Sequence, residues 1–562
     1  MGRTRGSKRA TSSSRNAPSN VSPPKRSKHT TKPEKSKTIA NTTGRRAEST
    51  TQVETPTAPE DHSTNCSGKL DFSSPERLLA SMLAPAASLS SFFEEQWEQK
   101  PLVVRRGGGE ASAGSYGACF SKDGLLSLLA KHDIQFGLDI NVCRYVKSKR
   151  ENLNGSGRAT TAKIKNLFDK KQATLQFHQP QRFQDELWRI CELLESHFHS
   201  LVGANVYMTP GGSQGLAPHY DEVEVFILQL EGRKHWRLYA PPTELPRDYS
   251  GDLTQDDIGH PTHDFVLETG DLLYFPRGTV HQADTPSNCQ HSTHVTISTY
   301  QRSSYGDLLT LALPKILNSA INGNVDFRKG LHVGQLSNNR VDDKPTFQSL
   351  LGQLSNHVGD HIEGAKYQML RDFVANRLPP YRPGDLETGP VGPMPTGNCR
   401  VRLIYASHTF VHKVSKHEDE DGENDDEDDE DDEDDEDDED GEDGEDGEDG
   451  EDGEDDEDDK DDEDDDIATN ADSLNQDGHN LTGFVVVQHS VANSRTNHMM
   501  GSGETKPQAL RFPTGYYQAI NQLKSHSEGD WLESSQLCLP EDDIRDLLMS
   551  LWAEGLLEIS KD

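Results

Sequence analysis

From Lys69 onward, the spacing of apolar residues sorts the chain into helical and extended stretches. SPERLLASML opens as a capped helix, with Ser74 ahead of Glu76 and an apolar stripe behind. SLSSFFEEQWEQ continues with helical spacing, PLVVRR (101–106) reads as a short strand, and FQDELWRICELLESHF (183–198) as a helix. Residues 150–172, basic and poor in apolar positions, read as a loop. Between Val202 and Tyr300 the period drops to two. ANVYMT, EVFILQL, KHWRLYA, DFVLETGDLLYFP and STHVTISTY are strand patterns, separated by glycine turns at Gly211-Gly212, Glu231-Gly232, Thr269-Gly270 and Arg277-Gly278. Many short antiparallel strands punctuated this way imply a sandwich or jelly-roll barrel.

Helical spacing returns at 306–322 and 360–377, and a Pro/Gly-rich linker follows at 379–397. The last region has strand patterns in VRLIYASHTFVHKV and LTGFVVVQHS, then amphipathic helical patterns in YYQAINQLKS and PEDDIRDLLMSLWAEGLLEI. That content fits a small winged-helix-like module at 398–562, interrupted by an acidic low-complexity insertion at 416–480.

Charge sharpens this division. The formal net charge is -39, yet residues 418–466 alone carry 41 Asp or Glu against Lys460, leaving about +1 for everything else. The protein is therefore a near-neutral globule bearing an acidic tract. The first fifty residues carry about +11, are rich in Ser, Thr and Pro, and nearly lack large apolar side chains. Such a segment cannot offset its ordering entropy, so 1–67 is expected to be a disordered basic tail. Its short basic runs, Lys25-Arg26-Ser27-Lys28 among them, read as nuclear import or nucleic-acid contact, the bland alternative being a solvated tail with no address, and tip the chain toward the nucleus. No long apolar run suggests secretion or a membrane span. The seven cysteines are scattered and never spaced as C-x-x-C, which argues against a disulfide framework or a zinc module.

Chemistry concentrates in two strings. In GLAPHYDEVEVFILQL, His219 and Asp221 lie two apart at the head of a strand, so their side chains share a face. In TGDLLYFPRGTVHQADT, a strand and a Pro-Arg-Gly turn lead to His281. Two imidazoles and one carboxylate on a single face leave half of an octahedral sphere open, the pattern of Fe(II) oxygenases that admit an oxoacid and dioxygen. H-x-D alone is weak in a chain with 23 histidines, and its bland reading is a surface pair. The two strings together, both in a strand-rich region, are far more specific. Lys234 shares a face with Trp236 and Leu238, where a buried ammonium needs an anion such as the distal carboxylate of 2-oxoglutarate. Its bland alternative is a snorkelling edge lysine. Asn205 and Tyr207 share one strand face, as do His294, Thr296 and Ser298, so both strands suit a wet cavity or, equally, an ordinary polar surface.

These residues, with GANVYMTPGGSQGLAPHYDEVEVFILQLEGRKHWRLY, GDLLYFPRGTVHQADT and HSTHVTISTYQR, resemble the JmjC ribosomal oxygenases. The likeness is greatest to the nucleolar member described as both a ribosomal-protein histidyl hydroxylase and a histone H3 lysine demethylase. It extends over roughly 70–560 without the acidic tract; the loop 148–166 and the spacing after His281 depart from it. It implies a mixed α+β chain: an N-terminal α/β part (68–180), a JmjC double-stranded β-helix (181–305), a helical dimerisation segment (306–378) and a C-terminal winged helix. It also implies Fe(II) on His219, Asp221 and His281, 2-oxoglutarate and O2 as co-substrates, and Lys234, Asn205, Ser298 and His294 around the oxoacid. The implied partners are a protein substrate and a second copy of the chain, in nucleolus and nucleoplasm. Direct nucleic-acid binding is not expected, because the terminal helical pattern carries Glu541, Asp542, Asp543, Asp546, Glu554 and Glu558 against Arg545. The competing reading is a catalytically silent scaffold that engages basic proteins through the acidic tract.

Overall fold

The computed structural model describes residues 69–106, 116, 119–332, 335–336, 344–359, 361–384, 389–414, 483–501, 506–526 and 530–560. The expected basic tail at 1–67 and acidic insertion at 416–480 lie outside the described residues. The central part contains strands β1 (Leu102–Val104), β2 (Ile140–Val146), β3 (Lys149–Asn152), β4 (Thr174–His178), β5 (Gly203–Pro210), β6 (Glu224–Glu231), β7 (Arg233–Tyr239), β8 (His263–Glu268), β9 (Leu272–Phe275), β10 (Val280–Asp284) and β11 (His291–Thr299). They form a large antiparallel sheet, ordered β1-β9-β6-β11-β5-β4-β2-β3, and a small one, β10-β7-β8.

Two apolar layers flank the large sheet. On its outer side Phe226, Leu228, Val295 and Ile297 pack with residues of the helices Pro75–Leu83, Lys122–Lys131 and Asp185–Phe198. On its inner side Val225, Ile227, Leu273 and Phe275 meet Trp236, Leu238 and Leu267 of the small sheet. β6 is covered on both faces, so it reads as an apolar run and not as an alternation. The chain passes from one sheet to the other at Gly232, where φ is +64° and a Cβ would stand 2.0 Å from the His291 carbonyl oxygen. Only glycine fits there. This is the jelly-roll architecture read from the strand pattern.

The helix starts follow their caps. The Ser74 hydroxyl accepts the Arg77 N–H at 3.2 Å, and Ser304 and Asp307 close a capping box at the head of helix Tyr305–Gly323. Residues 150–172 depart from the expected loop: they hold the end of β3, a helix at Thr161–Lys165 and a wider helical turn at Asn166–Lys170. The β2–β3 turn uses Lys147 and Ser148 at positive φ in place of glycine, and only Ile164 and Phe168 anchor the helical part. Neither feature produces a recognisable period. The helices Lys122–Lys131 and Lys344–Leu354 were likewise not anticipated.

The C-terminal module contains β12 (Arg400–Leu403), β13 (Thr409–Val414), β14 (Phe484–His489), β15 (Gln508–Pro513), β16 (Leu532–Glu533) and β17 (Leu557–Ile559), with helices at Tyr517–Ser525 and Glu541–Ala553. Sheet β16-β12-β17 and the two helices share one core in a winged-helix-like arrangement. The terminal helical pattern ends sooner than expected. Gly555, at φ +69°, turns the chain so that LEI becomes β17. β13 and β14 pair from Thr409↔His489 to Val414↔Phe484, so the acidic tract leaves and re-enters at the open end of a strand pair. Among the described residues, no helix is long and apolar enough to cross a membrane.

A buried polar cluster joins this module to the helix Asp185–Phe198. His408 Nε2 lies 3.2 Å from Glu192, and His498 Nε2 lies 2.8 Å from Glu195. The fully buried Arg377 guanidinium donates to the Ser407 carbonyl and to Ser196 Oγ. Replacing Arg377 by Met removes the buried guanidinium charge that faces Glu192 and Glu195 and leaves the Ser407 carbonyl without its donor. The expected loss is about 3–5 kcal/mol of stability, read as a lowered denaturation midpoint against the unmodified chain.

Candidate functional site

The N–H and C=O groups of His219 and His281 pair with each other across a two-residue antiparallel bridge (His281 N to His219 O 2.8 Å; His219 N to His281 O 3.2 Å). Each imidazole is held by a backbone carbonyl two residues earlier. His219 Nδ1 lies 2.8 Å from Ala217 O, and His281 Nδ1 lies 3.0 Å from Thr279 O. A carbonyl can only accept, so each Nδ1 carries the proton and each Nε2 presents a lone pair. The Asp221 carboxylate lies 3.9 Å from His219 Nε2 and 3.7 Å from His281 Nε2. One ligand atom from each of the three falls within 4.8 Å of the others. Two neutral imidazole nitrogens and one carboxylate on one face, with the other face toward a cavity, fit a ferrous ion with open positions. Burial and the neighbouring His219 push His281 below its ordinary range, which keeps its ring in the ligating neutral form.

The cavity measures about 530 Å³. Val225, Ile227, Trp236 and Phe275 supply its apolar wall; Tyr207, Thr209, Lys234, Gln282, His294 and Thr296 supply polar groups. Lys234 is 3% exposed and does not snorkel. Its Nζ donates to Thr209 Oγ1 at 2.8 Å, with Thr285 Oγ1 at 3.5 Å. Among the described residues no carboxylate pairs with it, and burial pushes it down to about 7. This is a cation in an apolar box, surrounded by hydroxyls that offer no countercharge.

His294 lines the same space. Its ring stacks on Tyr207 at 5.0 Å, and burial beside Lys234 and His281 holds it well below its usual range. Asn205 and Ser298 lie on the same strand faces, one alternation beyond Tyr207 and Thr296, and neither lines the cavity. The Asn205 amide oxygen is 3.0 Å from His178 Nδ1. Burial falls along these strands from Thr209 and His294 to the partly exposed Asn205 and Ser298, so the mouth is at that end. Sequence reasoning missed Thr209, which continues the Asn205-Tyr207 alternation, Thr285, which reaches the lysine only through a turn, and Thr174, whose hydroxyl bonds Thr209 at 3.0 Å across a strand pair.

The JmjC domain profile matches residues 176–306, the span that contains all these groups except Thr174. Ribosomal oxygenase 2 of Bos taurus is 40% identical over 500 residues, 88% of this chain and 94% of that protein. The chain belongs to the JmjC ribosomal oxygenase family. Ribosomal oxygenase 2 of Rattus norvegicus is 39% identical over 87% of this chain and 93% of its own length. Ribosomal oxygenase 1 of Gallus gallus is 40% identical over 53% of this chain and 51% of its own. Among solved structures, Escherichia coli ribosomal oxygenase YcfD in complex with cobalt and 2-oxoglutarate covers 84% of this chain and 99% of its own, at 14% identity and a TM-score of 0.40. This family member is a 2-oxoglutarate-dependent oxygenase whose cofactor set is Fe(II), 2-oxoglutarate and O2.

Proposed function

We propose that the chain hydroxylates a histidine of a large-subunit ribosomal protein, with Fe(II) on His219, Asp221 and His281 and the distal carboxylate of 2-oxoglutarate on Lys234. The observation that carries the site assignment is the pairing of a three-donor face with a buried ammonium that lacks a carboxylate, both on one cavity wall. The ribosomal substrate class rests on the names of the relatives. When bound, the iron couples the oxidative decarboxylation of 2-oxoglutarate to oxidation of a substrate C–H bond. The chain's own residues do the rest. Ala217 and Thr279 carbonyls orient the two imidazoles. Thr209 and Thr285 hydroxyls keep the Lys234 ammonium in place. Trp236 and Phe275 exclude water from the wall, and His294 and Tyr207 close the polar side. Asn205 and Ser298, expected around the oxoacid, lie one alternation beyond the cavity wall and take no part in this reading.

The same site could oxidise an N-methyl group of a histone H3 lysine, which would leave as formaldehyde. Loss of a methyl group, in place of a gain of one oxygen, would identify that substrate. The basic segment before Lys69 supports work in the nucleolus and nucleoplasm. A second copy is the expected partner. The helix Tyr305–Gly323 packs Ala312 and Ile316 inward but leaves Leu309, Leu313, Leu317 and Ile321 at least 36% exposed in one four-residue-spaced stripe.

Succinate release with Fe(II) and 2-oxoglutarate should be abolished by His219→Ala, and mass spectrometry of ribosomal proteins should show one added oxygen only with the active chain. Equal turnover by both proteins would leave the silent scaffold. Lys234→Met should raise the KM for 2-oxoglutarate roughly 10–100-fold, the scale of a lost charge-assisted hydrogen bond. The free protein must take up a proton at Lys234 to bind the co-substrate above pH 7. Affinity should therefore stay level below pH 7 and fall as pH rises beyond it, and calorimetry in buffers of different ionisation enthalpy reads that proton directly. Leu313→Asp with Leu317→Asp should convert a dimer to a monomer by light scattering.

A further inference from the structure

Behind the ligand face, four residues close a ring of hydrogen bonds. The Glu98 N–H donates to the Tyr274 hydroxyl at 2.9 Å, and that hydroxyl donates to Glu224 Oε2 at 2.5 Å. The other Glu224 oxygen accepts the Arg277 guanidinium at 2.9 Å and the Arg277 N–H at 3.3 Å. Arg277 returns to the Glu98 carboxylate at 2.5 Å. Glu224 is wholly buried, and Arg277 is only 11% exposed. The ring does not open into the cavity, because Val225 and Phe275 occupy the inward positions beside it. Two ionised side chains on the dry side of a barrel are costly unless geometry holds them together. Nothing in the reaction uses their charge.

What the ring holds is the turn Pro276–Thr279. Thr279 N–H closes it on the Pro276 carbonyl at 3.2 Å. The turn makes two contacts to the ligand face: Gly278 N–H donates to the Asp221 carbonyl at 2.9 Å, and the Thr279 carbonyl takes the His281 Nδ1 proton. Gly278 sits at φ +84°, where a Cβ would meet Pro246 Cδ at 2.5 Å, so this backbone has no slack. Arg277 is the member of the turn whose side chain and N–H both reach Glu224, and Glu224 follows Asp221 by three residues on the strand it heads. The turn and the ligand strand are thus clamped together from behind. Tyr274 stacks on Trp97 at 5.9 Å with an 11° angle, and this ties the N-terminal segment to the same clamp.

We propose that Glu224, Arg277, Tyr274 and Glu98 are positioning residues that fix the separation of Asp221 from His281 and so set metal affinity. The inference rests on the ligand reading proposed above. Burial pushes the Glu224 carboxyl up and Arg277 opposes it, in keeping with a pair that works as a mechanical tie.

The test uses the full chain, stripped of metal and titrated anaerobically with Mn(II), with free Mn(II) followed by electron paramagnetic resonance. Arg277→Met and Tyr274→Phe should weaken Mn(II) binding roughly 10–100-fold, the range found when residues supporting metal ligands are removed. Arg277→Lys should recover part of the loss. Co(II) absorption in the visible should change shape in the same variants, reporting altered ligand geometry. Leu547→Ala, a buried truncation in the C-terminal module, lowers thermal stability without touching the ring and should bind Mn(II) as the parent does. His219→Ala should lose the metal altogether. Retention of Mn(II) by His219→Ala would overturn the ligand reading. Loss by His219→Ala with affinity within twofold of the parent in Tyr274→Phe and Arg277→Met would overturn the clamp alone. Equal weakening by Leu547→Ala would also overturn it, by assigning the effect to general stability. Tyr274→Phe removes a single hydroxyl from an otherwise unchanged aromatic core, so it decides the matter even if Arg277→Met does not fold.

Discussion

Two backbone hydrogen bonds between His219 and His281 are the constraint on which the rest depends. They join the segment leading into β6, in the large sheet, to β10 in the small sheet. The jelly roll is closed at the one point where the donor atoms must meet. A strand pair fixes side-chain direction as well as separation, because opposed residues project to the same side. Without that bridge, His219 and Asp221 would belong to one sheet and His281 to another, and nothing local would bring their nitrogens together. The backbone acceptors at Ala217 and Thr279 add tautomer control without spending any further side chain.

The cavity itself is built on an imbalance. Lys234 is surrounded by Thr209, Thr285 and the ring of His294, none of which neutralises it, while the nearby carboxylate of Asp284 belongs to a separate cluster with Arg237 and His235. Hydroxyls satisfy the hydrogen-bonding demand of an ammonium but not its charge. The cavity therefore favours an anion for a reason independent of shape. The same logic explains why so much of the wall is apolar: Trp236 and Phe275 leave the charge no water to turn to.

Much of this was legible in the chain because strand periodicity and donor spacing are local. The shared faces of His219 with Asp221 and of Lys234 with Trp236 and Leu238 follow from alternation, His281 follows from the string around its Pro-Arg-Gly turn, and the Ser74 helix start follows from its cap. What escaped depends on contacts between distant segments. Thr285 approaches Lys234 only after β10 pairs with β7, and Thr174 meets Thr209 only after β4 pairs with β5. Asn205 and Ser298 share the correct faces, yet strand parity cannot say how far along a strand the cavity extends. The β2–β3 hairpin escaped because its turn residues, Lys147 and Ser148, lack the glycine that usually marks such geometry, and the turn at Asn166–Lys170 because it buries too few apolar residues to show a period. The terminal apolar run LLEI could not reveal that Gly555 divides helix from strand.

One consequence follows from the pairing of Val414 with Phe484. The strand ends that flank the acidic insertion, Val414 and Phe484, are fixed side by side by a register that does not involve its length. The entropy of closing such an excursion grows only logarithmically, about 0.6 kcal/mol for each doubling. The repeating Glu-Asp-Gly units from 442 onward can therefore multiply or be lost with almost no penalty to the folded module. The hairpin is thus a permissive cassette: the length and charge of what it carries are nearly uncoupled from the packing of the strands on either side.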